Sequence, residues 1–286
     1  MRGKVGGMQL ILEVVSYIWK YPPNHGQRLR RICLALFWQL HKRLVRLPIV
    51  YRLDNGLRFV AHPESKGASF PFYTSEYDFP NVRFHRSWLS GSGVFIDVGA
   101  NIGLYALSLA SRCRQAILLE PDPVAFRMLA ENVGLNGLES RYRLFQVAAG
   151  DANKDVFLAQ SDVAGLTNHV AETGEVSVRQ VTLDALVESI GVRTQDIDFV
   201  KIDVEGYELN VLKGMTALID GPSPPKLIQF ERLQRTAIQP LLDFFGTRKW
   251  TVFAVGDDGK PSTDHAAIHA AHDLMATPRL LDEFVA

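Results

Sequence analysis

Three short stretches of this chain place acids and glycines where a ligand can be held. The first is Asp97-Val98-Gly99-Ala100-Asn101-Ile102-Gly103. Gly99 and Gly103 permit a sharp backbone turn and a close approach to a ligand. A dinucleotide-binding turn would read Gly-x-Gly-x-x-Gly, whereas this one reads Asp-x-Gly-x-x-x-Gly. A carboxylate at that point repels a pyrophosphate but pairs with an ammonium group; the plainer alternative is an Asp that caps its own loop. The second stretch is Glu120-Pro121-Asp122, beginning 23 residues after Asp97. An acid at a strand end can hold the two hydroxyls of a ribose, in nicotinamide-binding and adenosyl-binding proteins alike. The third is Lys201-Ile202-Asp203-Val204-Glu205-Gly206-Tyr207-Glu208. Clustered carboxylates repel, so this group calls for a cation, a proton-accepting role or a raised pKa. Lys201 is the nearby cation, and Glu231, at the end of a later apolar run, is placed to face the same cleft.

The elements around these stretches alternate strand and helix. Val94–Val98 is an apolar run with one acid, as in a strand buried on both faces. Residues 104–112 read as a helix, 116–120 as a second strand, and 123–135 as a helix opened by Pro123 and closed by Asn136-Gly137. Residues 143–148 read as a third strand, ending at Ala148. A β-rich excursion covers 155–182. Residues 197–203 form a fourth strand, 209–218 a helix, 226–231 a fifth strand and 236–247 a helix, and a terminal strand pair starts at Trp250. Successive strand–helix units imply a mostly parallel, twisted α/β sheet with helices on both faces and an antiparallel C-terminal strand. Ahead of this lie helices over 8–20 and 28–47, a hairpin over 49–62 turning at Asp54-Asn55-Gly56, and a helix over 76–90.

The 286 residues suit one large domain with an appended segment, divided at 50/51 into a basic helical extension and a main domain. Lys plus Arg equals Asp plus Glu overall, but residues 1–53 hold ten basic side chains against one acid, Glu13. An acidic body argues against nucleic acid as the partner of the core. On the 28–47 helix, Arg28, Arg31, Gln39, Lys42 and Arg46 share one face, and Leu29, Ile32, Cys33, Leu36, Phe37, Leu40, Leu44 and Leu47 the other. Such a helix either packs its apolar face on the main domain or lies on an anionic membrane surface. No run reaches the roughly 20 apolar residues a membrane span needs. Two cysteines, Cys33 and Cys113, make no disulfide framework and read as buried, inert thiols in a reducing compartment. The expected location is the cytoplasm, at the membrane surface if the helix binds it.

Together the motifs Phe95–Gly103, Leu119-Glu120-Pro121, Leu183-Asp184 and Val200–Glu208 resemble the FkbM-type methyltransferases. The resemblance covers roughly residues 70–280. It implies a Rossmann-like class I methyltransferase fold, S-adenosylmethionine as cofactor and O-methylation of a sugar hydroxyl on a glycan or related natural product. It assigns the methionine part of the cofactor to Asp97, Gly99, Ala100, Asn101 and Gly103, and the ribose to Glu120 and Pro121, with Ala148 and Asp203 completing the pocket. Glu76-Tyr77-Asp78 resembles the acidic-aromatic stretch that precedes the first motif and closes over the cofactor. For catalysis, Asp203 and Glu205 are the candidate bases or ligands of a divalent metal, with Glu231 supporting them; an imidazole at His62 or His85 is the alternative base. His265, His269 and His272 have helical spacing but lack the Glu of a zinc-protease helix. Two other functions compete: a catalytically decayed scaffold in a glycan-assembly complex, and an NAD-linked oxidoreductase. Intact Asp97, Gly99, Gly103 and Glu120 weigh against the first, and the missing dinucleotide spacing against the second.

Overall fold

The protein was analysed as a computed structural model that describes residues 7–160, 168–171, 174, 176–232 and 237–284. It divides into two compact units, Met1–Phe79 and Pro80–Ala286. Arg2 and Lys4 of the basic segment, part of the 155–182 excursion and the start of the 236–247 helix lie outside the described residues.

The first unit contains α1 (Gly7–Lys20), α2 (Arg28–Leu44), β1 (Ile49–Arg52), β2 (Arg58–Ala61) and α3 (Phe70–Tyr73). β1 and β2 form the expected antiparallel hairpin, with Gly56 at φ +85° in its turn. The orientation of α2 corrects the expectation of a buried apolar face. Arg31, Ala35 and Trp38 are its buried residues, whereas Leu29, Leu36, Phe37, Leu40 and Leu44 are exposed. The inward face is fixed by specific contacts. Trp38 stacks on Phe72 at 4.5 Å and donates its indole N–H to Ser69 Oγ, and Arg31 donates to the Pro71 carbonyl and to Tyr51 Oη. Cys33 lies on the outward face and is exposed, which also corrects its reading as a buried thiol; Cys113 is buried.

The second unit runs α4 (Asn81–Trp88), β3 (Val94–Val98), α5 (Leu104–Ser108), β4 (Gln115–Leu119), α6 (Pro123–Leu135), β5 (Tyr142–Phe145), β6 (Ala148–Ala149), β7 (Lys154–Gln160), β8 (Asn168–Ala171) and β9 (Val176–Val181). It continues with α7 (Leu183–Ser189), β10 (Ile197–Ile202), α8 (Glu208–Lys213), α9 (Thr216–Asp220), β11 (Leu227–Glu231), α10 (Gln239–Gly246), β12 (Thr251–Val255), β13 (Pro261–Ser262), α11 (His265–Ala270) and β14 (Asp273–Thr277). Among the described residues the main sheet has eight strands in the order β13-β12-β14-β11-β10-β3-β4-β5. β5, β4, β3, β10 and β11 are parallel, and β14 inserts antiparallel between β11 and β12. The fold is a Rossmann-like α/β sheet. From β3 the chain builds outward first through β4 and β5, then on the other side through β10 and β11, so strand order reverses beside β3. In open α/β sheets, ligands bind outside the carboxyl ends of strands at such a point.

Four sequence expectations shift. The helix expected over 76–90 starts only at Asn81, because a residue before proline disfavours the helical region and Pro80 follows Phe79. The third strand ends at Phe145; Ala148 instead pairs with Gln180 in a separate sheet, β6-β9-β7-β8. The 209–218 helix is two helices broken at Gly214, where a Cβ would sit 1.8 Å from the Gly150 carbonyl oxygen. The terminal strand pair is a triplet, since β14 was not legible as a strand.

Beneath the main sheet's central strands, Phe95 and Phe199 stack at 5.0 Å and His85 lies 4.0 Å from Phe199. All three are fully buried. Phe199→Ala should therefore cost about 3–5 kcal/mol of stability, the usual effect of removing a buried aromatic ring. A urea titration of the variant checks this; an unchanged midpoint would show that the cluster is dispensable.

Candidate functional site

The site is built from a row of register partners. Asp97 on β3 pairs with Lys201 on β10, and Lys201 pairs with Gln229 on β11. Directly opposed residues of neighbouring strands share a face, so one polar row crosses three mostly apolar strands. Lys201 is buried, with Nζ 2.7 Å from Asp203 Oδ2, 4.0 Å from Asp97 Oδ1 and 5.0 Å from the centre of the Tyr105 ring. Asp97 is fully buried, and neither of its carboxylate oxygens has a hydrogen-bond partner among the described residues. Burial pushes its pKa up to about 6, against the pull of Lys201.

The glycine loop then wraps the end of β3. The Gly99 and Ala100 N–H groups donate to the Leu119 carbonyl at 3.0 and 2.9 Å, tying the loop to β4. Gly99 has φ +83°, and a Cβ there would lie 1.9 Å from the Asp203 carbonyl oxygen. Its close approach is thus to the neighbouring loop's backbone. Asn101, at φ +50°, donates its N–H to Glu120 Oε2 at 2.8 Å, and Asp122 N–H donates to Glu120 Oε1 at 2.9 Å. Glu120 is therefore oriented by backbone on both oxygens while burial raises its pKa to about 7. Pro121 follows it, and Asp122 caps α6 by accepting from the Val124 and Ala125 N–H groups. Gly103, at φ +87°, precedes α5 and leaves no room for a Cβ beside Leu129.

The acids after β10 and β11 converge. Burial alone would raise Asp203, but Lys201 outweighs it and holds this carboxyl below its ordinary range. Glu231 is driven the other way, its pKa raised by burial and then by the Asp203 charge. Glu205, at φ +56°, adds its charge to the same group. Glu208, the last acid of the motif, is buried and folds the loop: its Oε1 accepts from the Gly206 N–H at 2.9 Å and the Val204 N–H at 3.3 Å. Asp184 is a staple, accepting from the Ala217 and Leu218 N–H groups at the start of α9.

The structure thus brings together Asp97, Gly99, Ala100, Asn101, Gly103 and Glu120 at the ends of β3 and β4, with Asp203, Glu205 and Glu231 at the ends of β10 and β11. Ala148 stands apart, its side chain packed with Val156, Leu158 and Val178 in the core of the second sheet. His85 is fully buried, with its pKa lowered by desolvation to about 3, so it is a neutral imidazole whose Nε2–H donates to Gln229 Oε1 at 2.7 Å; it is no solvent-facing base. His62 and Glu76–Asp78 fall in the first unit, where His62 Nδ1 is 3.5 Å from Glu64 and the Glu76 carbonyl accepts from Tyr21 Oη. Among the described residues, no group of three or more His, Cys, Asp and Glu is arranged to hold a metal.

Sequence reasoning missed Tyr105, Gln229 and Asp273, and it read His272 only as one of a helically spaced series of histidines. Gln229 accepts from Tyr105 Oη at 2.6 Å and donates to Asp273 Oδ1 at 3.2 Å. His272 Nε2 lies 3.5 Å from Glu231 Oε1. Asp273 is the register partner of Glu231, so the unread strand β14 is what brings it to the site.

Glu120 generates a pH prediction for the free protein. Its native pKa of about 7 exceeds the ordinary 4.5. Between these values the native state binds more protons than the unfolded one, so this group's contribution is full below about pH 4.5 and is lost as pH rises to about 7. Glu120→Gln removes that slope, up to about 1.4 kcal/mol per pH unit. It also leaves one backbone N–H facing an amide NH₂, a pH-independent cost of about 1–3 kcal/mol. Denaturant titrations across this range should show the gap between wild type and variant narrowing with rising pH; a constant gap contradicts the assignment.

A profile described as the methyltransferase FkbM domain matches residues 97–251, more than half of the chain. The hexuronic acid methyltransferase AglP of Haloferax volcanii is 35% identical over 127 residues, covering 43% of this chain and 50% of that protein. The methyltransferase sdnD of Sordaria araneosa is 29% identical over 160 residues, covering 44% of this chain and 62% of that protein. The matched region thus spans about half to three-fifths of these relatives' length. Among solved structures, a methyltransferase FkbM from Methylobacillus flagellatus superimposes with a TM-score of 0.45 at 17% identity, covering 65% of this chain and 44% of the other. On the match at residues 97–251, this chain belongs to the FkbM methyltransferase family.

Proposed function

We propose that this protein transfers the methyl group of S-adenosylmethionine to a sugar hydroxyl on a glycan or related natural product. The observation that carries the reading is the pair of acids at the ends of adjacent strands: Asp97, buried with both oxygens unpartnered among the described residues, and Glu120, aimed by two backbone N–H groups. Around Lys201, Asp97 and Asp203 supply two negative charges to one positive, so a cationic ligand completes the balance. An amino-acid ammonium fits beside Asp97 and a ribose diol beside Glu120, with Gly99, Ala100, Asn101 and Gly103 forming the loop between them. The similarity to AglP supports a sugar acceptor.

When bound, S-adenosylmethionine supplies a methyl carbon on a cationic sulfur, leaving the protein to align the acceptor and take one proton. An acceptor hydroxyl that takes up the methyl group would become strongly acidic. A carboxylate held below its ordinary range therefore suffices as base, and Asp203 is such a group. Glu231 holds Asp203 by a hydrogen bond, and Glu205 contributes negative potential. This acidic surround suits a neutral hydroxyl, which needs a base, over a carboxylate acceptor, which needs none and would be repelled.

Asp203→Asn should lower kcat about 10²–10⁴-fold and, by removing one of the two charges that balance Lys201, also weaken cofactor binding. Full turnover in that variant would remove Asp203 from catalysis. Cofactor affinity should weaken as pH falls through about 6, because protonated Asp97 no longer attracts an ammonium. Calorimetric titration across that range reads this directly, and absence of any heat would support the decayed-scaffold reading. Transfer of labelled methyl to uronic-acid-containing glycans should yield an alkali-stable ether; an alkali-labile ester would overturn the hydroxyl assignment.

A further inference from the structure

The outward face of α2 plays no part in the packing of its own unit. Leu29, Leu36, Phe37, Leu40 and Leu44 recur there at helical spacing, and each is more than half exposed. Exposed Arg43 borders one side of this stripe, and exposed Arg30 the other. Beside it, Trp19 is exposed, with the Arg28 guanidinium 4.9 Å over its ring. Contiguous apolar patches rimmed by charge mark interaction sites in soluble proteins.

The charge decides the occupant. Residues 1–79 carry twelve Lys or Arg against five Asp or Glu. A second copy of this chain would oppose like charges across an isologous contact. No helix among the described residues is long and apolar enough to cross a membrane. A helix with Leu and Phe on one face, Arg at its borders and an adjacent Trp matches the physics of segments that lie in the headgroup region of an anionic bilayer.

We propose that the outward face of α2, with Trp19, docks the protein on an anionic lipid surface. The apolar side chains enter the acyl boundary while Arg30 and Arg43 reach lipid phosphates. This docking is independent of the methyl-transfer reading, because it uses no residue of the acid cluster.

The test is co-sedimentation of the full chain with vesicles of phosphatidylcholine alone and of phosphatidylcholine mixed with phosphatidylglycerol. The protein is expected to sediment with the mixed vesicles at low salt, to be released by high salt, and to shift its tryptophan emission to the blue on binding. The double variant Arg30→Glu/Arg43→Glu should weaken binding by at least about tenfold, at roughly 1 kcal/mol for each basic residue near the surface. Phe37→Glu/Leu40→Glu should abolish it; since both positions are solvent-exposed, an unchanged melting temperature should accompany the loss. Failure to bind anionic vesicles at low salt overturns the proposal. So does binding that survives both double variants, or a concentration-dependent dimer, lost in Phe37→Glu/Leu40→Glu, that anionic vesicles do not dissociate.

Discussion

One buried ammonium organises the centre of this protein. Lys201 sits on β10, an interior strand between β3 and β11, with Asp203 bonded at 2.7 Å and Asp97 at 4.0 Å. Removing a lysine charge from water costs several kcal/mol unless carboxylates compensate it. Here the two compensating acids stand where β3 and β10 give way to their following loops. The Asp203 loop is fixed by Lys201 and by the 2.9 Å bond from Asp203 N–H to the Val98 carbonyl. The Asp97 loop must then pass the Asp203 carbonyl oxygen closely enough that only glycine fits at position 99. Electrostatics and backbone contact thus set the same distance, and neither loop can move without unpairing a buried charge.

The rest of the row extends this constraint sideways. Gln229 stands beside Lys201 in register, and it is saturated by Tyr105, His85 and Asp273. Burial keeps His85 neutral there, since an imidazolium would place a second cation next to Lys201, and the tautomer that protonates Nε2 donates to the Gln229 oxygen. Asp273 opens β14, the antiparallel strand beside β11, and His272 immediately precedes it, so that strand is part of the site's scaffold as well as its edge. The acids consequently differ in role although they are alike in type. Asp203 is held low by its lysine, Glu231 is pushed high by burial and then by Asp203, and Glu208 serves as a loop cap whose burial raises its pKa. Such divergent environments around like groups are how one chemistry is divided between several carboxyls.

Much of this is legible in the residues because it follows from local pattern. The parallel strands are apolar runs interrupted by single polar positions, and the acids that matter fall at their carboxyl ends, so the amino-acid order alone places Asp97, Glu120, Asp203 and Glu231. What is illegible depends on partners. Ala148 reads as the end of a third strand, yet an apolar strand carries no mark of which sheet it will join, and hydrogen bonding to Gln180 decides it. Gly214 looks like an ordinary helix glycine until Gly150 passes beside it. Gln229 and Tyr105 lie inside apolar elements, where an uncharged polar residue is read as incidental. His85 reads as a free base because nothing in its chain neighbours announces Phe199 against its ring.

The case of α2 separates two properties that periodicity is often asked to report together. An amphipathic pattern states which residues share a face, and that grouping holds. It does not state which face turns inward. Burial of Leu29, Leu36, Phe37, Leu40 and Leu44 would gain transfer free energy of about 25 cal/mol for each Å² hidden. Instead the inward face carries Arg31, whose guanidinium meets the Pro71 carbonyl, Tyr51 and Asp54, and Trp38, which finds both a stacking ring and a hydroxyl. Directional contacts of this kind select one orientation, whereas the hydrophobic effect selects only the removal of area from water, from whatever source. A helix anchored by its polar side is therefore free to offer its apolar side to a surface other than its own core. Its arginines narrow the choice of that surface, because a face bordered by positive charge is repelled by its own kind and drawn to phosphate.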